Sequence, residues 1–257
     1  MVNSEQIEIY LKKNFSSIGE ITGIEVLSEL TNSTNFKIFS NNNKYILHQV
    51  NDGSTLKKLE AMCQVLDFCS CENALVQYPV KNDSGFFVSN KQKFFLTKFY
   101  DGHTFSGNKR EFLDLATKFA ELHQILNSCK IPFNYRLNQK FYRLLDIGEF
   151  KEIVKIIDRK KQLSELDKLF LNNQNLLLES FTKFKLLKSY SSVPKQLIHH
   201  DLHPKNAIFN ENKIMSIIDF STMRLGTILE DIAFTSYRYS LFQSNDVDII
   251  EKNITLF

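Results

Sequence analysis

The run His199-His200-Asp201-Leu202-His203-Pro204-Lys205-Asn206, followed by Ile217-Ile218-Asp219-Phe220, holds the residues best suited to chemistry. An Asp followed five residues later by an Asn, then a hairpin, then an Asp at the end of an apolar strand, suits phosphoryl transfer. One carboxylate, Asp201, accepts the proton of an attacking hydroxyl. The Asn206 carbonyl and the Asp219 carboxylate hold Mg²⁺ on nucleotide phosphates. Magnesium takes hard oxygen ligands and keeps several waters, so two protein ligands and phosphate oxygens suffice. A competing reading makes His199, His200 and His203 a metal cluster. Three His within five residues of an irregular loop do not all face one ion, and no distant Cys/His set completes a zinc site.

These groups need a loop, a hairpin and a strand end to hold them. Gln196–His199, Ala207–Phe209 and Ile214–Ile218 read as short strands around an Asn210–Asn212 turn. Upstream, residues 4–16 read as a helix from the spacing of Ile7, Tyr10, Leu11 and Phe15 after Ser4. Strand-like runs follow at Ile24–Leu27, Asn35–Phe39 and Lys44–Val50, the last two separated by Asn41-Asn42-Asn43. Ser54–Cys69 reads as a helix, Gly85–Ser89 and Lys93–Phe99 as strands across Asn90-Lys91-Gln92, and Asp101-Gly102 as a turn. Helical periodicity then dominates at Lys109–Leu126, Leu137–Asp158, Ser164–Asn172 and Gln174–Tyr190.

Composition narrows the class. With 43% hydrophobic residues over 257 positions, disordered, collagenous and coiled-coil readings fail. No apolar stretch approaches the ~18–20 residues of a membrane span, and the N-terminus lacks a secretory pattern, so a cytoplasmic location and no membrane partner are expected. Thirty-two Lys and Arg against 29 Asp and Glu give +3, which offers no footprint for nucleic acid. Cys63, Cys69, Cys71 and Cys129 lack CxxC spacing and read as reduced thiols. The oligomeric state is not legible.

The segment Ile198–Ile208 with Ile217–Phe220 resembles the aminoglycoside phosphotransferase and choline kinase superfamily, in its His-x-Asp-Leu-His-Pro-x-Asn loop and Ile-Asp-Phe strand end. The resemblance implies an α+β, two-lobed protein-kinase-like fold with a small antiparallel sheet N-lobe and a mainly helical C-lobe. On that plan residues 1–100 form the nucleotide-binding lobe, and 101–257 carry the catalytic loop and metal-binding hairpin. It implies Asp201 as catalytic base, His199 as a loop-bracing residue, Asn206 and Asp219 as metal ligands, and Mg²⁺ with ATP or GTP as phosphoryl donor. Ser221 stands where protein kinases carry Gly, which favours a small-molecule kinase.

Weaker matches extend from 24 to 235. Leu27–Ile38 resembles the strand–loop–strand over the nucleotide, so Thr31, Asn32, Ser33 and Thr34 are expected near the phosphates, without the family's glycine pair. Tyr45-Ile46-Leu47-His48 resembles the strand whose family version ends in a basic residue, placing His48 in that slot with Lys44 as a substitute and Glu60 as the helix partner. Phe94–Gly102 resembles the hinge, with backbone groups of Lys98 and Tyr100 toward an adenine edge. Glu121-Leu122-His123 and Leu229–Ala233 resemble bracing segments, which makes His123 and Asp231 structural. Family members often carry further C-terminal helices around the acceptor, so the 26 residues after Asp231 read as a compact or shortened lobe. The expected acceptor is a hydroxyl of a sugar or amino sugar, a choline-like amino alcohol or an aminoglycoside; for the last, Glu230, Asp246, Asp248 and Glu251 are the candidate carboxylates. The alternative is a nucleotide-binding pseudokinase or scaffold without turnover, suggested by the missing strand Lys and glycines.

Overall fold

A computed structural model describes residues 4–30, 33–41, 43–89, 93–132, 147–186, 193–244 and 247–257. The chain divides into two compact units, one of Met1–Tyr135 with Lys195–Phe257 and the other Arg136–Pro194. The sheet and the candidate chemistry both lie in the first unit.

That unit opens with α1 (Ser4–Asn14), a short 3₁₀ turn, and the antiparallel strands β1 (Ile21–Leu30), β2 (Ser33–Ser40) and β3 (Lys44–Val50). With β4 (Pro79–Val80) and β5 (Phe94–Lys98) they form a sheet of order β1-β2-β3-β5-β4. Strand alternation gives the sheet two distinct faces. Phe36, Ile38, Leu47, Phe94 and Leu96 pack with Ile7 and Leu11 of α1 and with Phe15 just after it. The opposite face carries Asn35, Lys37, Ile46, His48, Phe95 and Thr97, and Phe95 joins the larger core with α2 (Leu56–Cys71). Thr55 caps α2 by accepting from the Lys58 N–H, a contact of about 1 kcal/mol.

The hinge leads through Gly102 into β6 (His103–Thr104) and α3 (Lys109–Ser128), which starts at the Asn108 cap. A Cβ on Gly102 would lie 2.3 Å from the Phe209 carbonyl oxygen, so only glycine lets the chain run this close to the strand that carries Phe209. Strands β7 (Lys195–Ile198), β8 (Ala207–Asn210), β9 (Lys213–Ile217) and β10 (Arg224–Thr227) follow, with α7 (Ile228–Gln243) and α8 (Val247–Leu256) after them. The sheets β6-β8-β9 and β7-β10 share the larger core with α3 through Phe105, Phe112, Phe119, Phe209 and Tyr239. The second unit holds α4 (Ile147–Asp158), α5 (Glu165–Asn172) and α6 (Gln174–Leu186). Ser164 and Asp167 cap each other reciprocally at the start of α5.

The described elements match the α+β expectation, with two departures. Gly85–Ser89 is not a strand, and contributes only the isolated bridge of Val88 to Phe95. The Asn82 side chain accepts from the Ser84 and Phe86 N–H groups, and Glu60 accepts from those of Phe87 and Val88. Those N–H groups are therefore unavailable to a ladder, and Pro79–Val80 pairs with β5 instead. The C-terminal region adds β10, α7 and α8, which the sequence reading left without elements. Residues 137–146 and 187–190 of the expected helices, and Asn90-Lys91-Gln92, lie outside the described residues. All four cysteines are free thiols. Among the described residues no helix is long and apolar enough to cross a membrane.

Candidate active site

The loop after β7 and the strand end after β9 are fastened to each other by polar contacts. His199 is fully buried, and its Nε2–H donates to the Ile218 carbonyl at 3.0 Å. Its Nδ1 accepts from the Asp201 N–H at 3.2 Å, which fixes one neutral tautomer. Burial holds its pKa down to about 4, so the ring stays neutral in this role. The Asn206 Nδ2 donates to the Asp201 carbonyl at 2.9 Å, and the Asn206 carbonyl accepts from the Ile218 N–H at 2.9 Å. With the amide so oriented, the Asn206 side-chain oxygen is left as an acceptor. Asp201, Asn206 and Asp219 are thus brought together as the sequence predicts.

Both of these segments have strained backbones. His200 has φ 70° and Asp219 φ 61°, in the left-handed region that non-glycine residues rarely occupy. Each strained turn has its own buried anchor. The Asp231 carboxylate on α7 is fully buried and accepts from the His199 and His200 N–H groups at 2.8 and 2.7 Å. Burial pushes the Asp231 carboxyl up to about 7, against the pull of those two donors. Behind it, His123 presents Nε2 at 3.4 Å from Asp231, while its Nδ1 accepts from Gln196. Asp219 donates its N–H to the buried Gln77 Oε1 at 2.8 Å, and its own Oδ1 accepts from the Ser221 hydroxyl at 2.6 Å. The Asp201 carboxyl is half-buried; burial raises its pKa, His203 lowers it, Asp219 raises it and Arg238 lowers it.

The nucleotide-side residues fall in several places. His48 lies on the inner face of β3, its ring stacked on Phe95 with centroids 4.3 Å apart. Asn35 donates to Ser28, so its Oδ1 accepts from the His48 Nδ1–H at 2.8 Å; the Thr97 hydroxyl then donates to Nε2 at 2.9 Å. Both ring nitrogens are engaged, and burial holds the pKa down to about 4. The expected helix partner, Glu60, does not reach it but binds the Phe87 and Val88 N–H groups, and Lys44, the expected substitute for the basic residue, pairs with Asp101 at 2.8 Å. Ser33 and Thr34 lie within β2, paired to Val50 and Gln49. Thr31 and Asn32 lie outside the described residues. Lys98 and Tyr100 line a cleft of about 620 Å³ with Tyr45, Tyr78 and Met215. The Lys98 side chain is on the face opposite Thr97 and His48. Its N–H donates to the Tyr78 carbonyl at 2.8 Å.

Three residues of interest escaped the sequence reading. Gln77 gave no signal beyond a polar residue between Val76 and Tyr78. Lys37 stands on the same sheet face as His48, with Nζ 4.0 Å from the centroid of Phe99 at the hinge. Arg238 is an exposed helical arginine with no motif around it.

The sequence pattern of the phosphotransferase enzyme family matches residues 23–250. No curated protein matches the chain. Among solved structures, an aminoglycoside phosphotransferase from Alicyclobacillus acidocaldarius is similar, with TM-score 0.69 and 16% identity over 94% of this chain and 74% of that one. An amicoumacin kinase in complex with AMP-PNP, Ca²⁺ and its substrate has TM-score 0.66 at 16% identity, over 98% and 76%. A spectinomycin phosphotransferase in complex with ADP and spectinomycin has TM-score 0.65 at 13% identity, over 98% and 78%. These likenesses establish the kinase-like fold, and the match over nearly the whole length establishes the family: the chain belongs to the phosphotransferase enzyme family, as a kinase of small molecules.

Proposed function

We propose that the chain transfers the γ-phosphoryl group of a nucleoside triphosphate to a hydroxyl of a small metabolite, with Asp201 as the catalytic base. The observation that carries this reading is the fastening of the Asp201 loop to the Asp219 strand end through His199, Asn206 and Ile218. Asp201 accepts the proton of the acceptor hydroxyl, and its burial-raised pKa makes it a better proton acceptor than a solvated carboxylate. Asn206 and Asp219 offer hard oxygens of the kind Mg²⁺ takes, and the site's residues fit that ion. Bound there, the cation would neutralise charge on the transferring group. His199 and Asp231 hold the loop so that little reorganisation is needed on reaction. On the donor side, His48 serves as a fixed part of the sheet face, and Lys37 is the positive charge that face presents.

The test is Asp201→Asn in a Mg²⁺-nucleotide assay against a panel of alcohols. Loss of a positioned base lowers kcat by about 10²–10⁴-fold. Nucleotide affinity stays within about threefold, because Asp201 faces the acceptor. Turnover at the wild-type rate would remove Asp201 from its role. A second reading, nucleotide binding without turnover, is favoured by the engaged ring of His48 and the distant Glu60. Mg²⁺-dependent nucleotide binding with no release of ADP or GDP across the panel supports that second reading.

A further inference from the structure

The acceptor side of Asp201 is bordered by α7, and the groups it presents are aromatic and cationic. Phe234 lies against His200, with ring centroids 6.3 Å apart and planes 20° from parallel. One turn later, the Arg238 guanidinium carbon sits 5.7 Å from the Phe234 ring. Arg238 is exposed and forms no ion pair among the described residues. His203 presents Nε2 at 4.0 Å from the Asp201 carboxylate, and its carbonyl is held by the Tyr239 hydroxyl at 3.1 Å. Through Phe234, which sits beside His200, Arg238 is placed on the side of the loop that carries Asp201, and its charge lowers the burial-raised Asp201 carboxyl while that of Asp219 raises it. The other acids at the start of α7 are committed: Glu230 to Arg224, and Asp231 to the loop N–H groups.

We infer that this shelf takes an alcohol bearing a carboxylate or phosphate group, gripped by Arg238 while the hydroxyl meets Asp201, and that polycations are poor acceptors. The inference rests on the phosphotransferase reading above. A guanidinium offers a rigid fork of donors that matches carboxylate and phosphate oxygens two at a time. Stacking on Phe234 pre-orders that fork, which lowers the entropy lost on binding. A polycation meets the reverse arrangement. It needs several carboxylates, and among the described residues the acids tied to this loop are Asp219, on the metal side, and Asp231, whose oxygens are taken by the loop N–H groups. Of the expected aminoglycoside-binding carboxylates, Glu230 is engaged by Arg224, Asp246 lies outside the described residues, and Asp248 and Glu251 are on α8 rather than on the helix that anchors the Asp201 loop.

The experiment compares acceptor pools with the full-length chain and Mg²⁺-nucleotide. Hydroxy acids (serine, homoserine, glycerate) and hydroxyl-bearing phosphates (glycerol 3-phosphate, glucose 6-phosphate) form two anionic arms, which separate carboxylate from phosphate recognition. Glucose and glycerol form the neutral arm, and choline and kanamycin the cationic arm. Turnover is expected in an anionic arm. Arg238→Ala should raise KM there by about 10- to 100-fold, the strength of a lost charge-assisted pair, with a much smaller change in kcat. Arg238→Lys, which keeps the charge but not the fork, should fall between, and melting curves confirm that both variants fold. Turnover mainly in the neutral or cationic arm, an unmoved KM in Arg238→Ala, or nucleotide hydrolysis with no acceptor used in any arm overturns the inference. A chain that cannot cleave the nucleotide even slowly onto water instead removes the phosphotransferase reading beneath it.

Discussion

Replacing Asp231 by Asn keeps the shape of the side chain and removes one of its two acceptors. The carboxylate accepts from the His199 and His200 N–H groups at 2.8 and 2.7 Å, and it is fully buried. An amide group must turn its NH₂ toward one of those donors. That leaves a buried N–H unsatisfied, at about 1–3 kcal/mol. An opposing effect limits the damage. Burial has already pushed this carboxyl up to about 7, so the ionised group sits in an unfavourable setting that the neutral amide escapes. We therefore expect a net stability loss of about 1–2 kcal/mol, within reach of a well-folded chain. Activity has no such offset. His200 at φ 70° is held in place by that acceptor, and Asp201 is the next residue. A displacement of the reacting group by ~1 Å lowers turnover by about 10²-fold. Urea denaturation and steady-state phosphoryl transfer, measured on the same preparations, should thus separate: nearly native stability with kcat down about a hundredfold. Nucleotide affinity should not change, since the sheet face with His48 does not touch Asp231. If Asp231→Asn turns over normally, or loses activity only in proportion to its unfolded fraction, the bracing argument is wrong.

Gln77→Leu should act on the other strained turn: it removes the acceptor of the Asp219 N–H, costs about 1–3 kcal/mol, and weakens Mg²⁺ affinity in a metal titration while leaving the Asp201 loop intact. The pH dependence of stability follows from groups displaced by burial. His48, His123, His199 and His200 are each held down to about 4, so between pH 6.5 and 4 the unfolded chain binds protons that the folded chain refuses. Stability is then lost as pH falls through that window, by up to about 1.4 kcal/mol per pH unit for each of the buried rings of His123 and His199, and by less for the partly exposed His48 and His200. Asp231 runs the other way, because at about 7 the folded chain keeps a proton that the unfolded chain has released down to pH ~4. Urea midpoints measured from pH 7 to 5 should fall, with net proton uptake on unfolding; a rise would reverse the argument.

The candidate loop around Asp201 was readable because phosphoryl transfer calls for particular residue types at fixed separations along one stretch of chain. Asp201 and Asn206 are five residues apart, and the β8–β9 hairpin returns Asp219 to them. Hidden from the sequence were contacts decided by register between distant strands. Gln77 reaches Asp219 across 142 positions, through the bridge of Val76 to Ile217. Glu60 was read as the partner of the β3 base because the family resemblance pairs that base with a Glu on the following helix. What fixes its partner is the turn at Asn82–Phe86, which presents the Phe87 and Val88 N–H groups to it. Arg238 and Phe234 are one turn apart on α7, a spacing ordinary in any helix. Only the placement of α7 beside His200 turns them into candidates for binding.

The departures at His48 and Glu60 suggest a chain drifting away from catalysis, and the energetics of the opposite side argue against that. His200 and Asp219 each hold a left-handed backbone without glycine, at about 1–3 kcal/mol apiece. Each is anchored by a polar side chain buried at further cost, Asp231 in one case and Gln77 in the other. Substituting glycine would relieve the backbone, and apolar residues would relieve the interior, so a scaffold with no reaction to perform gains by losing all four. On the donor side Lys93 also has a positive φ of 48°, but among the described residues no buried side chain is used to hold it; its carbonyl accepts from the Val50 N–H. His48 is satisfied at both nitrogens and stacked on Phe95, an arrangement that stabilises the sheet whether or not a nucleotide binds. Left-handed turns held by buried polar anchors where the acceptor hydroxyl and the metal oxygens would meet, with a satisfied and stacked ring where a lysine would usually stand, support an enzyme that has changed how it holds its donor and kept how it reacts.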